Sequence, residues 1–340
     1  MGIQGFTRLW VLATLLALTV TVFGAYVRLS HAGLSCPDWP GCYGQIAVPE
    51  EPKAVARANQ AFPQRPVDVP RAWKEMVHRY LASALGLLIV GLAIIAWRRR
   101  RQPGQPLFMP MFLVLLVIAQ GALGMWTVTL LLKPIIVTAH LLGGLTTTAL
   151  LWWMALRHGG LFTGFERPLV NDDGARLAPW VLFGVVLLYL QLFLGGWVST
   201  NYAALACTDF PLCQGELVPA LDFDNAFTPW HGLGIDYEGG ILATDARVTI
   251  HLMHRLGALV VFIYLAGLAF VMLRPERDKR LKKAAVTLML VLVTQVGLGI
   301  ANVILSLPLT VAVAHNGVAA LLLLTMVLTY HVTRPAPIVI

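Results

Sequence analysis

Eight separate stretches of this chain stay apolar over about the 20 residues that a helix needs to cross a hydrocarbon core about 30 Å thick. They fall near 9–28, 76–97, 107–130, 134–156, 178–199, 248–273, 283–305 and 308–331 of the 340 residues. Runs such as LGLLIVGLAIIAW and AALLLLTMVLTY are apolar on every side, whereas the strands of a membrane barrel are shorter and alternate in polarity. The reading is an all-α integral membrane protein of eight transmembrane helices. Composition agrees, because 58% of residues are hydrophobic and only 12% are charged, far from the balance of a water-soluble domain.

Basic residues set the expected orientation, since short loops rich in Lys and Arg stay in the cytoplasm. RRRR at 98–101, the loop carrying Arg157, Arg167 and Arg176, and the RPERDKRLKK run all fall on one side, together with Arg8 and Arg334. Both termini are therefore predicted to be cytoplasmic. The net charge of +8 is absorbed by this topology, and no other feature supports nucleic-acid binding. The first apolar run is long enough to span and has a counterpart later in the chain, so it reads as a helix and not as a signal peptide.

That counterpart belongs to a duplication. CPDWPGC, from Cys36, resembles CTDFPLC, from Cys207, and aligning them also aligns GAYV at 24–27 with GGWV at 195–198. EMVHRYLASALGLL, from Glu75, resembles HLMHRLGALVVF, from His251. QGALGMWTVTLLLKPIIVTAH, ending at His140, resembles QVGLGIANVILSLPLTVAVAH, ending at His315. A unit of four crossings repeated once enters the membrane in the same sense both times, giving a parallel repeat about an axis along the membrane normal. The expected organisation is an N-terminal four-helix bundle over 1–157, a cytoplasmic linker over 158–177 and a C-terminal four-helix bundle over 178–340. Long loops at 31–74 and 200–247 lie on the far side.

Two histidines recur at matched places in each copy, His78 with His140 and His254 with His315. Each pair stands at a similar shallow depth on two helices of one bundle and can face across its core. Polar side chains in a span usually face a bundle interior, a cavity or a cofactor, and haem iron takes axial imidazoles. A di-iron carboxylate site starts well at Glu75-x-x-His78 but lacks its second Glu-x-x-His, because the matched residue is His251. The cysteines have neither zinc spacing nor the C-x-x-C-H of covalent haem attachment. His31, His158, His231 and His331 fall in loops or at a cytoplasmic helix end, where solvated roles are expected. His251 is placed to line a pocket without touching iron, and Gln120 and Gln295 recur as bonds between helices.

Together, the paired cysteine loops, EMVHR, MHR and the histidines of the fourth and eighth spans resemble the haem A synthase family of bacteria and mitochondria. The likeness runs through essentially the whole chain. It implies an enzyme of the bacterial inner membrane that oxidises the C8 methyl group of haem O to a formyl group, giving haem A for haem-copper terminal oxidases. It further implies haem b as cofactor, ligated by His254 and His315, with His78 and His140 holding the substrate haem. The implied partners are haem O synthase, which supplies the substrate, the oxidase assembly machinery, and an electron-transfer partner or quinone. A homo-oligomer is also admitted.

Glu75 lies one helical turn from His78 and has no carboxylate counterpart in the second copy, which marks it as the catalytic candidate, a proton acceptor or a stabiliser of developing positive charge. Arg79 and Arg255, next to the proposed ligands, are candidates for binding haem propionates. The cysteines lie in loops of an oxidising compartment, so Cys36 with Cys42 and Cys207 with Cys213 are expected as disulfides. They act either as staples or, beside the substrate bundle, in redox exchange. A di-haem cytochrome b passing electrons without altering haem is the alternative function, and Glu75 in one half alone argues against it. A duplicated transporter would break its helices near the midplane, which no span here does.

Overall fold

Proline or a capping aspartate opens several of the long helices, at Asp68, Pro134, Pro179 and Asp278. The computed structural model describes residues 3–102, 104–158 and 174–334. Arg167 and most of the predicted linker lie outside the described residues. Within them the helices are α1 (Ile3–Leu29), α2 (Pro52–Ala61), α3 (Val69–Arg98), α4 (Phe108–Thr129), α5 (Pro134–Arg157), α6 (Ala178–Thr200), α7 (Phe223–Ala226), α8 (Thr244–Met272), α9 (Lys279–Ile304) and α10 (Leu309–Thr333). All but α2 and α7 are long and apolar enough to span a bilayer, one for each predicted stretch. The structure extends α3 and α8 outward beyond the apolar runs, to Val69 and Thr244. Hydropathy marks only the part inside lipid, while hydrogen bonding continues to the cap. At α3 that cap is Asp68, which accepts from the Arg71 amide at 3.1 Å, with Pro70 in the first turn.

Helices α1, α3, α4 and α5 pack around one another, as do α6, α8, α9 and α10. The groups meet through α5 against α6, α1 against α10, and α5 against α10. The apolar interior between α6, α8, α9 and α10 is built from Leu188, Leu265, Leu288 and Met326, among others, with Phe6, Trp10, Ile89 and Leu151 in the other group. Large apolar side chains such as Leu87, Leu115, Leu190 and Ile263 point outward, as a lipid-facing surface requires.

Local conformation recurs at matched positions. α1 and α6 both end on a left-handed residue, His31 (φ 53°) and Tyr202 (φ 54°). Each is followed by an amide that reaches back five residues, Ala32 to the Val27 carbonyl at 3.0 Å and Ala203 to that of Val198 at 2.9 Å. These two residues stack on each other, ring centres 6.2 Å apart. The turns α4–α5 and α9–α10 each use two successive left-handed residues, Leu131–Leu132 and Ser306–Leu307. Both cysteine pairs are disulfides, and both loops contain a cis proline, at Pro40 and Pro211.

The outer loops also meet. Arg65 pairs with Asp236 and with Glu238, the latter at 2.5 Å. Tyr237 is buried beside Leu34, Val128 and Leu132, and the Tyr237 amide donates to the Leu131 carbonyl at 3.1 Å. Lys133 is buried under Trp230 and donates to the Gly232 carbonyl at 2.6 Å. A segment of the second loop thus lies across the α4–α5 turn of the first bundle.

Candidate functional site

The four proposed ligands stand on α3, α5, α8 and α10, and each imidazole lies against a glycine of a neighbouring helix. A Cβ added at Gly24 of α1 meets His78 Cε1 at 2.8 Å, and one at Gly195 of α6 meets His254 Cε1 at 3.1 Å. Gly124 of α4 and Gly299 of α9 stand in the same relation to His140 and His315, at 3.5 and 3.1 Å. A real Cβ at 2.8–3.1 Å forces its neighbour to move, so Gly24, Gly195 and Gly299 limit where their rings can lie, while Gly124 stands at ordinary contact distance from His140. His78 and His140 stand on α3 and α5 of one group of helices, and His254 and His315 on α8 and α10 of the other.

This donor set fits haem. A paired imidazole set in an apolar bundle, seated in glycine recesses, suits bis-histidine ligation of iron. His78, His140 and His315 each keep a buried Nδ1 with no partner in the described structure.

The carboxamides divide unequally. Gln191 of α6 places Nε2 at 2.9 Å from His254 Nδ1 and donates to the His254 carbonyl at 3.0 Å. Gln295 of α9 places Nε2 at 3.3 Å from His315 Nε2. In the other half, Gln120 turns its amide over Gly143 of α5, where no Cβ fits. Gln191 escaped the sequence reading because its matched residue is Val20, so the repeat did not mark it.

Glu75 is buried at 4% exposure and uses both carboxylate oxygens. Oε2 accepts from the Cys36 amide at 2.9 Å, and Oε1 pairs with Arg79 at 2.5 Å. His251, also buried, takes the equivalent amide: Cys207 N donates to His251 Nδ1 at 3.4 Å. One backbone donor is thus met by a carboxylate in the first half and an imidazole in the second. Both residues hold the cysteine loop to its helix, a tie the sequence did not disclose.

Arg79 and Arg255 reach over the same loops. Arg79 donates to the carbonyls of Asp38 (2.9 Å), Pro40 (3.3 Å) and Gly41. Arg255 donates to those of Leu212 (2.8 Å), Asp209 (2.9 Å) and Cys207 (3.3 Å). Arg255 Nε is buried with no partner, leaving one N–H for an acceptor. Each loop is closed again by an aspartate: Asp38 accepts from the Tyr43 and Gly44 amides, and Asp209 from those of Gln214 and Gly215. Those amides, Gly215 foremost, hold the Asp209 carboxyl below its ordinary pKa.

Of the histidines expected to be solvated, one is buried and one half-buried against aromatic rings. His331 is buried and meets the Trp153 ring edge-on, while His158 is stacked on Trp10 and edge-on to Phe6. The ends of α5 and α10 pack against other helices there, which a loop assignment from sequence does not reveal.

The chain matches the family described as COX15-CtaA, cytochrome oxidase assembly protein, over residues 7–327. It is 45% identical over 321 residues, 94% of each chain, to a protein of Shewanella oneidensis named Heme A synthase. Proteins of the same name from Methylobacterium radiotolerans and Chelativorans sp. are 31% and 29% identical, over 94% and 97% of this chain and 87% and 92% of theirs. With eight spanning helices, two matched histidine pairs and a match along nearly its whole length, the chain belongs to the COX15-CtaA family of cytochrome oxidase assembly proteins.

Proposed function

We propose that this chain is a multi-pass inner-membrane oxidoreductase that converts haem O to haem A, by oxidising the C8 methyl group of the porphyrin to a formyl group. The observation that carries the reading is its 45% identity, across 94% of both chains, to a protein named Heme A synthase. The two groups of helices then form a parallel repeat with both termini cytoplasmic, the N-terminal unit being 1–157 and the C-terminal unit 178–340. His78 and His140 hold the substrate haem; His254 and His315 hold haem b. When bound, haem b supplies one-electron redox chemistry beside the substrate.

The rest falls to the chain. The recesses at Gly24, Gly195 and Gly299 bound the positions of the His78, His254 and His315 rings. Arg255 Nε offers a donor to a propionate of the cofactor, and Arg79 does so for the substrate while sharing its charge with Glu75. Taking the methyl to a formyl group with electrons leaving to an acceptor draws the formyl oxygen from water and releases four protons with four electrons, and Glu75 is the carboxylate one turn from His78, where a proton can be held. Electrons leave to a partner or quinone, and product passes to the oxidase assembly machinery.

Expressing the chain with a source of haem O and separating the extracted haems by chromatography tests this. Haem A, or its hydroxylated precursor, is expected beside haem b. Haem b alone sinks the reading and favours the di-haem electron carrier.

A further inference from the structure

The two histidine pairs differ in the carboxamides that reach them: Gln295 approaches His315 while its counterpart Gln120 lies over Gly143, and at His254 the difference involves two helices at once. Gln191 of α6 corresponds to Val20 of α1, and Gly257 of α8 corresponds to Leu81 of α3. In the C-terminal half a Cβ at Gly257 has no room, because the Gln191 carboxamide and the Leu194 side chain occupy that space. The N-terminal half has two apolar side chains where the C-terminal half has a long amide and the gap that accepts it. A carboxamide could not enter beside a leucine, and a glycine facing a valine would leave a void. The two positions therefore form one device, built in one half only, and its target is His254.

We infer that Gln191, given room by Gly257, is a positioning residue that makes the C-terminal histidine pair a retaining site for haem, whereas the pair that lacks it exchanges its haem. This rests on the assignment of the resident haem to the C-terminal unit. A neutral imidazole bound to iron through Nε2 carries its proton on Nδ1, and an acceptor for that proton locks the ring and raises its basicity toward the metal. Gln191 Oε1 is buried without a partner, while Nε2 of the same group stands 2.9 Å from Nδ1. Rotation about the last side-chain bond exchanges the two atoms, so one residue donates to a bare ring and accepts from a ligated one. His78 has no such group: its Nδ1 is buried and unpartnered, and the aligned residue is Val20. A site that must take up haem O and release haem A gains from a ring that nothing locks.

The test uses the purified full-length chain with its resident haem, and measures haem loss to excess apomyoglobin together with the midpoint potential. Q191L is expected to lose haem about 10-fold faster or more, with its potential moved upward, because a less basic ligand favours ferric iron less. Q191E keeps an acceptor and is expected to restore slow loss. In a chain carrying H254A, loaded with added haem b, V20Q/L81G is expected to slow loss from the N-terminal site, an outcome independent of whether Q191L folds. Wild-type loss rate and potential in a folded Q191L, or no slowing by V20Q/L81G, overturns the inference. Resident haem b that survives H254A instead overturns the assignment of the two units on which it rests.

Discussion

Glu75 is bound to two different things, and its two oxygens separate two roles. Through Oε2 it holds the Cys36 amide, and through Oε1 it meets Arg79. An amide side chain in its place keeps an acceptor for the Cys36 N–H but can neither carry charge nor hold a proton. E75A removes the tie as well, and a buried N–H left without a partner costs about 1–3 kcal/mol. If Glu75 acts on the proton, E75Q retains haem b and a protease-resistant first loop, yet yields little or no haem A in extracted haems. Near-normal haem A from E75Q, with loss only in E75A, makes Glu75 a tie of the loop and nothing more. The residue's singularity was legible in the sequence, because the repeat set His251 against it. The bond to Cys36 was not, since nothing in a one-dimensional pattern says which backbone donor a side chain will find.

At the scale of elements, the spans and their order were legible because lipid imposes a length and a polarity that composition carries directly. What escaped was contact between elements. The tetrapeptides GAYV and GGWV served to register the repeat, but the reason for Gly24 and Gly195 lies on other helices, in the rings of His78 and His254. Gly195→Ala puts a Cβ 3.1 Å from His254 Cε1, an overpacking worth about 1–3 kcal/mol. Expected is reduced haem b content with a shifted Soret band, while Gly91→Ala, in a glycine position open to a Cβ, leaves the spectrum unchanged. Equal spectra from the two variants would remove the recess from the account of ligand placement. The outer helical turns of α3 and α8 escaped for a related reason, since they stand above the apolar run, where hydropathy no longer marks the helix.

The whole molecule joins two similar halves by contacts that come in mates: α5 on α6 answers α1 on α10, and His31 stacks on its own counterpart Tyr202. The crossing of the second outer loop over the α4–α5 turn, by Lys133, Tyr237 and the Arg65 pairs, breaks that symmetry on the side of the first bundle. Sequence could not place it, because the segment 230–240 has no repeat partner to be read against. Likeness of framework with difference of detail is the central claim: equal bundles, one keeping haem b and one working on haem O. The most direct measurement is the haem b content and low-spin spectrum of purified H254A and H78A chains made without a haem O source. H254A is expected to lose the bound haem b and its spectrum, and H78A to keep both near the wild-type level. Retention by H254A with loss in H78A, or equal loss in both, contradicts the division of labour between the halves.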